Sequence, residues 1–368
     1  MTTPTDQDLA DLRASVRSVL ERRGGIESVR RVTENGPGAD LELWHTLATD
    51  VGVAALVVPE EHGGLDAGPA AVRAVGEELG AALAAVPFLS SAVLAASAFA
   101  AHAGHPLSTR WLPQLAAGRI GTVALTGEDG RAGAPGVRAA RSSQGFELSG
   151  SAGYVLDTEF ADVVVVAADG PDGPLLVVAG PGSLRREATL VHDRTRRLSR
   201  IGLDGVTVGA DAILAEGAEA AATIEELYRR AGAALAADAA GGARMIHETA
   251  VEYAKQRVQF GRPIGSFQAV KHKLADMFVL VEAMSAAAEH AATAVGEQDP
   301  RTAALTTAYT LEGYLSVAGD AIQVHGGIGY TWEHVCHLVF KRAQLDEALL
   351  GSAAWHRELS AAEMLAAG

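Results

Sequence analysis

The sequence predicts an α+β protein in three parts: an all-α N-terminal domain over residues 1–117, a small antiparallel β domain over 118–217 and a C-terminal four-helix bundle over 218–368. Three observations carry that prediction. Apolar residues recur at helical spacing up to about Ala117. From Thr122 to about Leu214 the pattern changes to short β-branched runs such as Val163-Val164-Val165-Val166. Beyond Ala218 it returns to long Ala- and Leu-rich segments, and the composition shifts near Gly118 and Gly217 mark the boundaries. A chain of 368 residues is long enough for two or three domains with a substantial core.

In the first part, Leu9, Leu12, Val16 and Leu20 form one helical face, with Asp6 or Asp8 as the expected cap. Pro59-Glu60-Glu61-His62-Gly63-Gly64 interrupts the pattern as a turn, and helices are expected again over 72–85, 90–103 and 111–117. His62 has no second metal-type residue at a useful spacing and reads as a solvated turn histidine. In the second part, strands are expected at 122–125, 137–141, 146–149, 163–166, 175–178 and 205–208. Asp169-Gly170-Pro171-Asp172-Gly173-Pro174 supplies a hairpin connection. The third part should hold helices over 221–257, 266–297, 300–324 and 333–366. Their large apolar surface suggests packing between subunits as well as within one, and their alanine content is helix propensity.

Composition excludes several classes. No run of 18 uninterrupted apolar residues is present, so no membrane span is expected, and the apolar stretch 92–101 reads as a buried helix. A net charge of -15 with a pI of about 5.2 argues against a nucleic-acid partner, which needs a concentrated basic face. The one cysteine, Cys336, rules out an internal disulfide and reads as a packed helix residue. The start MTTPTDQDLADLRASV lacks a basic segment followed by an apolar block, so the expectation is a cytoplasmic protein without a signal peptide.

The most informative stretch is residues 253–277, YAKQRVQFGRPIGSFQAVKHKLADM. Two helical runs flank the break Phe260-Gly261-Arg262-Pro263, and Phe267, Val270, Leu274 and Met277 put an apolar stripe on the second. Gly261 and Pro263 are expected to end the first helix at a tight corner carrying Arg257, Gln259 and Gln268. A second motif, Gln323-Val324-His325-Gly326-Gly327-Ile328-Gly329-Tyr330, is a glycine-rich helix break.

Arg257, Gln259-Phe260-Gly261, Pro263-Ile264 and Phe267-Gln268 resemble the signature of the acyl-CoA dehydrogenase family, FAD enzymes that oxidise acyl-CoA thioesters to their enoyl forms. Leu43-Trp44, Val58-Pro59-Glu60, Gly63-Gly64, Glu77-Glu78-Leu79-Gly80 and Leu112-Pro113 are similar to landmarks of its N-terminal domain. The resemblance implies that Arg257, Gln259, Phe260, Gln268, Gln323, Gly326 and Gly327 reach the pyrophosphate and adenosine end of an FAD shared across a subunit interface. The chemistry agrees, since a planar guanidinium suits a pyrophosphate and a glycine lets a backbone N–H approach phosphate. His325 is expected to pack on or hydrogen-bond to the cofactor's edge. The resemblance further implies an acyl-CoA substrate, an electron-transfer flavoprotein or similar acceptor, and no metal.

Other positions depart from the family. Its catalytic carboxylate, which takes the α-proton, falls at Leu350, before Gly351, and the alternative base position of a minority of members falls at about Ala231. Tyr154-Val155-Leu156-Asp157 stands where the family has Trp-Ile-Thr-Asn behind the flavin ring, and leucine cannot donate the threonine's hydrogen bond. Thr126-Gly127-Glu128-Asp129-Gly130 replaces a further ring-side segment. The tail half of the site is kept and the ring half is degraded. That pattern resembles the base-lacking subunit of actinobacterial α2β2 acyl-CoA dehydrogenases, which act on bulky thioesters such as steroid side-chain acyls in β-oxidation. Three alternatives stand beside it. One is a self-sufficient homotetramer using Glu347 as an atypical base, although Asp346-Glu347 reads as a solvated acidic start to the last helix. Another is the same scaffold turned to flavin monooxygenase or flavin-free chemistry. The last is a purely structural subunit.

Overall fold

Helix α1 (Asp6–Arg22) begins at Thr5. The Thr5 hydroxyl accepts the Asp8 backbone N–H at 3.2 Å, and the Asp8 carboxylate accepts the Thr5 backbone N–H at 2.9 Å. This reciprocal box satisfies two otherwise orphaned donors, so the cap is Thr5, with Asp8 as its partner, in place of the expected Asp6 or Asp8. The computed structural model describes residues 4–23 and 25–366. After α1 come α2 (Gly25–Asn35), α3 (Leu41–Thr46) and α4 (Gly68–Ala81), then a π-helical stretch Phe88–Ala95 that runs into α5 (Ala96–Ala100), and α6 (Pro106–Ala116). The Glu77-Glu78 pair of α4 is buried because it clamps α1: Arg13 reaches Glu77 at 2.5 Å and Arg17 reaches Glu78 at 2.8 Å. His62 is tied down where a solvated side chain was expected, its Nε2 lying 3.1 Å from the Ala103 carbonyl.

The middle part holds β1 (Gly121–Ala124), β2 (Val137–Ser142), β3 (Gly145–Leu156), β4 (Val163–Gly170), β5 (Gly173–Ala179), β6 (Arg185–Ala188), β7 (Leu198–Gly202), β8 (Val206–Val208) and β9 (Ile213–Glu216). Strands β4 and β5 form the expected hairpin, closed at Gly170 and Gly173 around Pro171-Asp172. The sheet is mixed where the sequence suggested antiparallel pairing throughout, since β1 runs parallel to β4 with Gly121 opposite Val163. β3 is longer than expected and carries a register shift between Ala152 and Val155, where Tyr154 adopts φ 54°. Such a bulge re-aims the side chains that follow it.

The third part is organised on α7 (Gly217–Gln256), a helix of 40 residues. Its Ala- and Gly-rich centre is thin for a packing reason as well as a propensity one. A Cβ at Gly241 would stand 1.9 Å from the Glu77 carbonyl oxygen, and one at Gly80 would stand 2.1 Å from that of Asp238, so α4 and α7 touch backbone to backbone. Strands β10 (Val258–Gln259) and β11 (Arg262–Pro263) lead to α8 (Gln268–Gly296), α9 (Pro300–His325), α10 (Cys336–Ala348) and α11 (Ala353–Ala366). The single last helix expected over 333–366 is therefore two. Leu350 and Gly351 break it, with φ values of 57° and 120° that no right-handed helix accommodates. Helix α8 is long and apolar enough to cross a bilayer by length and composition, but it packs along α7 and α9 with Met277, Val281 and Met284 buried.

Candidate functional site

The first helix of the central motif ends at Gln256, earlier than glycine and proline signals suggested. Arg257 is already extended, and the next residues form a two-stranded ribbon pairing Val258 with Pro263 and Gln259 with Arg262. Phe260 and Gly261 turn it with φ values of 52° and 76°, both left-handed, as a tight hairpin turn of this hand requires. Phe260 is 91% exposed. Its ring meets Phe267 edge-on at 6.0 Å, and the Arg262 guanidinium lies 4.2 Å from the Phe267 ring.

The glycine-rich motif adjoins this ribbon. Helix α9 ends at His325, and Gly326 follows with φ 64° and ψ -140°, a conformation open to glycine alone. A Cβ at Gly326 or Gly327 would meet nothing within 4 Å, so their backbone faces open space. Tyr253, near the end of α7, lies against His325 with ring centroids 4.5 Å apart, which joins the two motifs at one end of the bundle. Arg257, Gln259, Gln268 and Gln323 are all exposed there. Among the described residues, none of their side chains has a hydrogen-bond or ion-pair partner. The corner that would need internal partners if buried is instead an open, polar and aromatic surface, with Tyr330 and Trp332 exposed beside it.

His325 is occupied inside the chain. It is buried, its Nδ1 lies 2.7 Å from the Ala321 carbonyl, and its ring also meets His334, with centroids 4.2 Å apart. Cys336 Sγ approaches Nδ1 at 3.4 Å, and ligand-type atoms of His325, His334 and Cys336 lie within 4.8 Å of one another. Burial pushes the Cys336 thiol up to about 12, so it is the neutral thiol that packs there.

The ring-side segments also converge, at the other end of α7. Leu350 is buried in the α10–α11 turn, and Ala231 is buried in α7. Neither can move a proton. Glu347 is half-buried, with Oε1 3.4 Å from the Ala353 backbone N–H at the start of α11. Asp346 corrects the expectation of a solvated acidic start to the last helix: it lies in the last turn of α10, fully buried, and accepts from Arg196 Nε at 2.9 Å. The segment 126–135 folds down over β3. The Thr126 hydroxyl donates to the Gly153 carbonyl at 2.7 Å, and the Tyr154 ring covers Gly130 so closely that a Cβ there would stand 2.6 Å away.

Two aromatic residues that the sequence reading passed over close this region. The Tyr228 hydroxyl accepts the Gly133 backbone N–H at 2.9 Å and donates to the Leu125 carbonyl at 3.0 Å, fastening segment 126–135 to α7. Burial pushes that phenol up to about 12, which keeps it a donor. Trp355 of α11 packs on Tyr228 at 5.2 Å and lies against Gly351, where a Cβ would stand 2.4 Å from its ring. The only signal for either was an aromatic residue one turn after Gly351 or one turn before Ala231.

A flavin dinucleotide can be tested against this geometry. The tail positions fit, with an unpaired guanidinium, three free amide side chains and accessible glycine backbone. The ring positions do not, because Leu156 has no donor, Tyr154 is turned onto Gly130 and Leu350 holds no charge.

Two helical units around a mixed sheet, with an open polar and aromatic surface at one end of the bundle, match the architecture of the acyl-CoA dehydrogenases. Residues 6–119 match the acyl-CoA dehydrogenase N-terminal domain and residues 216–365 match the acyl-CoA dehydrogenase C-terminal domain. The chain belongs to the acyl-CoA dehydrogenase family, oxidoreductases acting on CH–CH donors. It is 35% identical over 353 residues to acyl-CoA dehydrogenase IpdE2 of Mycobacterium tuberculosis, covering 96% of this chain and 95% of that one. Among solved structures, the ChsE4-ChsE5 complex from Mycobacterium tuberculosis superposes with a TM-score of 0.89 at 30% identity, covering 99% of each chain. A Tcur3481-Tcur3483 steroid ACAD variant does so with a TM-score of 0.87 at 30% identity, covering 98% of each.

Proposed function

We propose that this chain is the base-lacking subunit of a heteromeric acyl-CoA dehydrogenase and completes a homologous partner's FAD site in an α2β2 assembly. The observation that carries the reading is the opposition between the two ends of α7: an exposed, unpartnered tail surface at Arg257, and a buried Leu350 at the family's base position. In this reading Arg257 pairs with the pyrophosphate, the backbone of Gly326 and Gly327 approaches phosphate, and Gln259, Gln268 and Gln323 supply amide hydrogen bonds around the adenosine end. Phe260 offers an apolar face beside them. Bound FAD supplies the hydride acceptor for α,β-desaturation, while the partner contributes the ring pocket and the carboxylate that takes the α-proton. The heteromeric and steroid-acting neighbours support a bulky acyl-CoA, such as a steroid side-chain thioester, as the substrate of the assembled enzyme. Electrons would leave to an electron-transfer flavoprotein or a similar acceptor.

The test is to purify the chain alone and then with homologous dehydrogenase subunits encoded nearby, recording visible spectrum, native mass and desaturation each time. The expected outcome is a colourless, inactive chain that becomes yellow and active only in a mixed complex. A yellow homotetramer that desaturates acyl-CoA by itself would overturn the reading.

A further inference from the structure

The glycine-rich break carries a side-chain cluster that the flavin-tail reading leaves unused. His325 ends α9, His334 sits on the turn 331–335, and Cys336 opens α10. One ligand-type atom of each lies within 4.8 Å of the other two, and among the described residues no other three histidine, cysteine or carboxylate side chains form such a group. Cys336 Sγ and His325 Nδ1 stand 3.4 Å apart. Zinc bonds of about 2.3 Å to sulfur and about 2.0–2.1 Å to nitrogen, meeting at a tetrahedral angle, place those two ligands about 3.5 Å apart. Any longer separation is closed by His334, which is half-buried and on a turn.

A thiol and two imidazoles are the soft and borderline donors that select zinc over magnesium or calcium. Each gives up little to bind. His334 Nδ1 accepts only a 3.3 Å bond from the Cys336 N–H. His325 Nδ1 exchanges its 2.7 Å bond to the Ala321 carbonyl for the metal, and the ring proton moves to Nε2, which has no partner to lose. That exchange forfeits one neutral hydrogen bond, a small quantity beside the coordination of zinc by thiolate and imidazole. The opposing groups are cations: Arg30 of α2 faces His334, and Arg30 and Lys341 face the adjacent His337 opposite Glu34. Arg30 is turned to the Glu333 carbonyl at 2.6 Å and pairs with Glu27 at 3.5 Å, and Lys341 lies over the Trp332 ring at 3.9 Å. A bound thiolate halves the charge that these cations meet.

We propose that His325, His334 and Cys336 form a zinc site that ties the end of α9 to the start of α10 across the glycine-rich turn. Binding forms a metal–sulfur bond, sends the thiol proton to solvent and changes no oxidation state. Three protein ligands leave a fourth position for water, reached past half-buried His334. The ion cross-links the chain on both sides of residues 326–333 and so fixes the backbone of Gly326 and Gly327. This inference goes beyond the half-site reading and does not require it, because all three ligands belong to one chain.

The experiment uses the full chain, free of any affinity tag and kept in a non-thiol reductant. The chain is stripped with a chelator and titrated with Co²⁺, the spectroscopic stand-in for zinc. The expected result is one Co²⁺ per chain, with a thiolate-to-cobalt charge-transfer band and the intense visible bands of a tetrahedral ion, all removed by Zn²⁺. Cys336 is the chain's one cysteine, so the charge-transfer band in the parent identifies the ligand even if a variant fails to fold. Cys336→Ala should abolish that band. His334→Ala should weaken Co²⁺ binding at least about tenfold, since even the outer partners of metal ligands matter by that factor. No Co²⁺ binding, a weak octahedral spectrum without the sulfur band, or an unchanged affinity in His334→Ala would overturn the proposal.

Discussion

Arg257 shows how little of a residue's role its own fold requires. It is exposed, its side chain has no hydrogen-bond or ion-pair partner among the described residues, and its backbone starts the ribbon, from its N–H to the Tyr253 carbonyl and from the Ile264 N–H to its own carbonyl. Arg257→Ala should therefore leave the melting temperature of the chain within about 1–2 °C, as surface substitutions do. Flavin retention in the assembled complex should fall roughly 10- to 100-fold, the loss expected for a charge-assisted pair with phosphate. Equilibrium dialysis of the mixed complex against FAD measures it, and undiminished retention would remove Arg257 from the site. Phe260 makes the complementary point. At φ 52° its backbone is strained, and its largely exposed ring meets Phe267 edge-on, a contact that uses little of its apolar area.

At the scale of elements, a buried ionic cluster joins the three parts of the molecule. Arg342 of α10 lies 3.6 Å from Asp193, on the connection between β6 and β7, and 3.8 Å from Asp238 of α7. It also donates to the Ala84 carbonyl just beyond α4 at 3.2 Å. Arg196 bridges Asp238 and Asp346 at 3.4 and 2.9 Å. Such a cluster adds little net stability over an apolar core, but removing one cation strands carboxylates in a dry interior. Arg342→Leu should cost about 3–5 kcal/mol in urea unfolding. A loss under about 1 kcal/mol would mean that water already reaches the cluster. By its position the cluster also anchors α10, and so fixes where the Leu350 turn begins.

At the scale of the whole molecule, stability against pH is set by buried groups of opposite sign. Burial raises Asp157 to about 6 and Asp346 to about 7, so their contribution is complete below the ordinary carboxylate range and lost as pH rises through 6 to 7. Burial lowers His334 and His356 to about 4, so theirs is complete above about 6.5 and lost as pH falls toward 4. The two sets oppose each other between about pH 4 and 6.5 and mask one another in the parent. His356→Phe should unmask the balance, making the unfolding free energy at pH 5, relative to pH 7.5, about 2 kcal/mol more favourable to the folded state than in the parent. Chemical denaturation at the two pH values reads this directly, and an unchanged difference would place His356 in contact with solvent.

What could be read from the sequence follows the range of the interactions involved. The β4–β5 hairpin was legible because a valine run, a Gly-Pro-Asp-Gly turn and a second apolar run lie within 17 residues of chain, from Val163 to Ala179. β6 was not, since Arg185–Ala188 is exposed on every residue and has no apolar alternation. The parallel pairing of β1 with β4 has no local signature at all. In the last helix, Leu349-Leu350-Gly351-Ser352 offered a single glycine as warning, and the break became visible only where Leu350 takes a left-handed backbone. The base position was legible as a leucine. Tyr228, Trp355 and His356 were not legible as a group, because residues more than 120 positions apart meet only through packing of α7 against α11.

Helix α7 is also a ruler. Tyr228 holds the sheet segment near one end and Arg257 caps the other, 29 residues apart, so about 43 Å of rigid rise separates them. That span exceeds the reach of any dinucleotide. A single dinucleotide therefore cannot touch Tyr228 and Arg257 of one protomer at the same time.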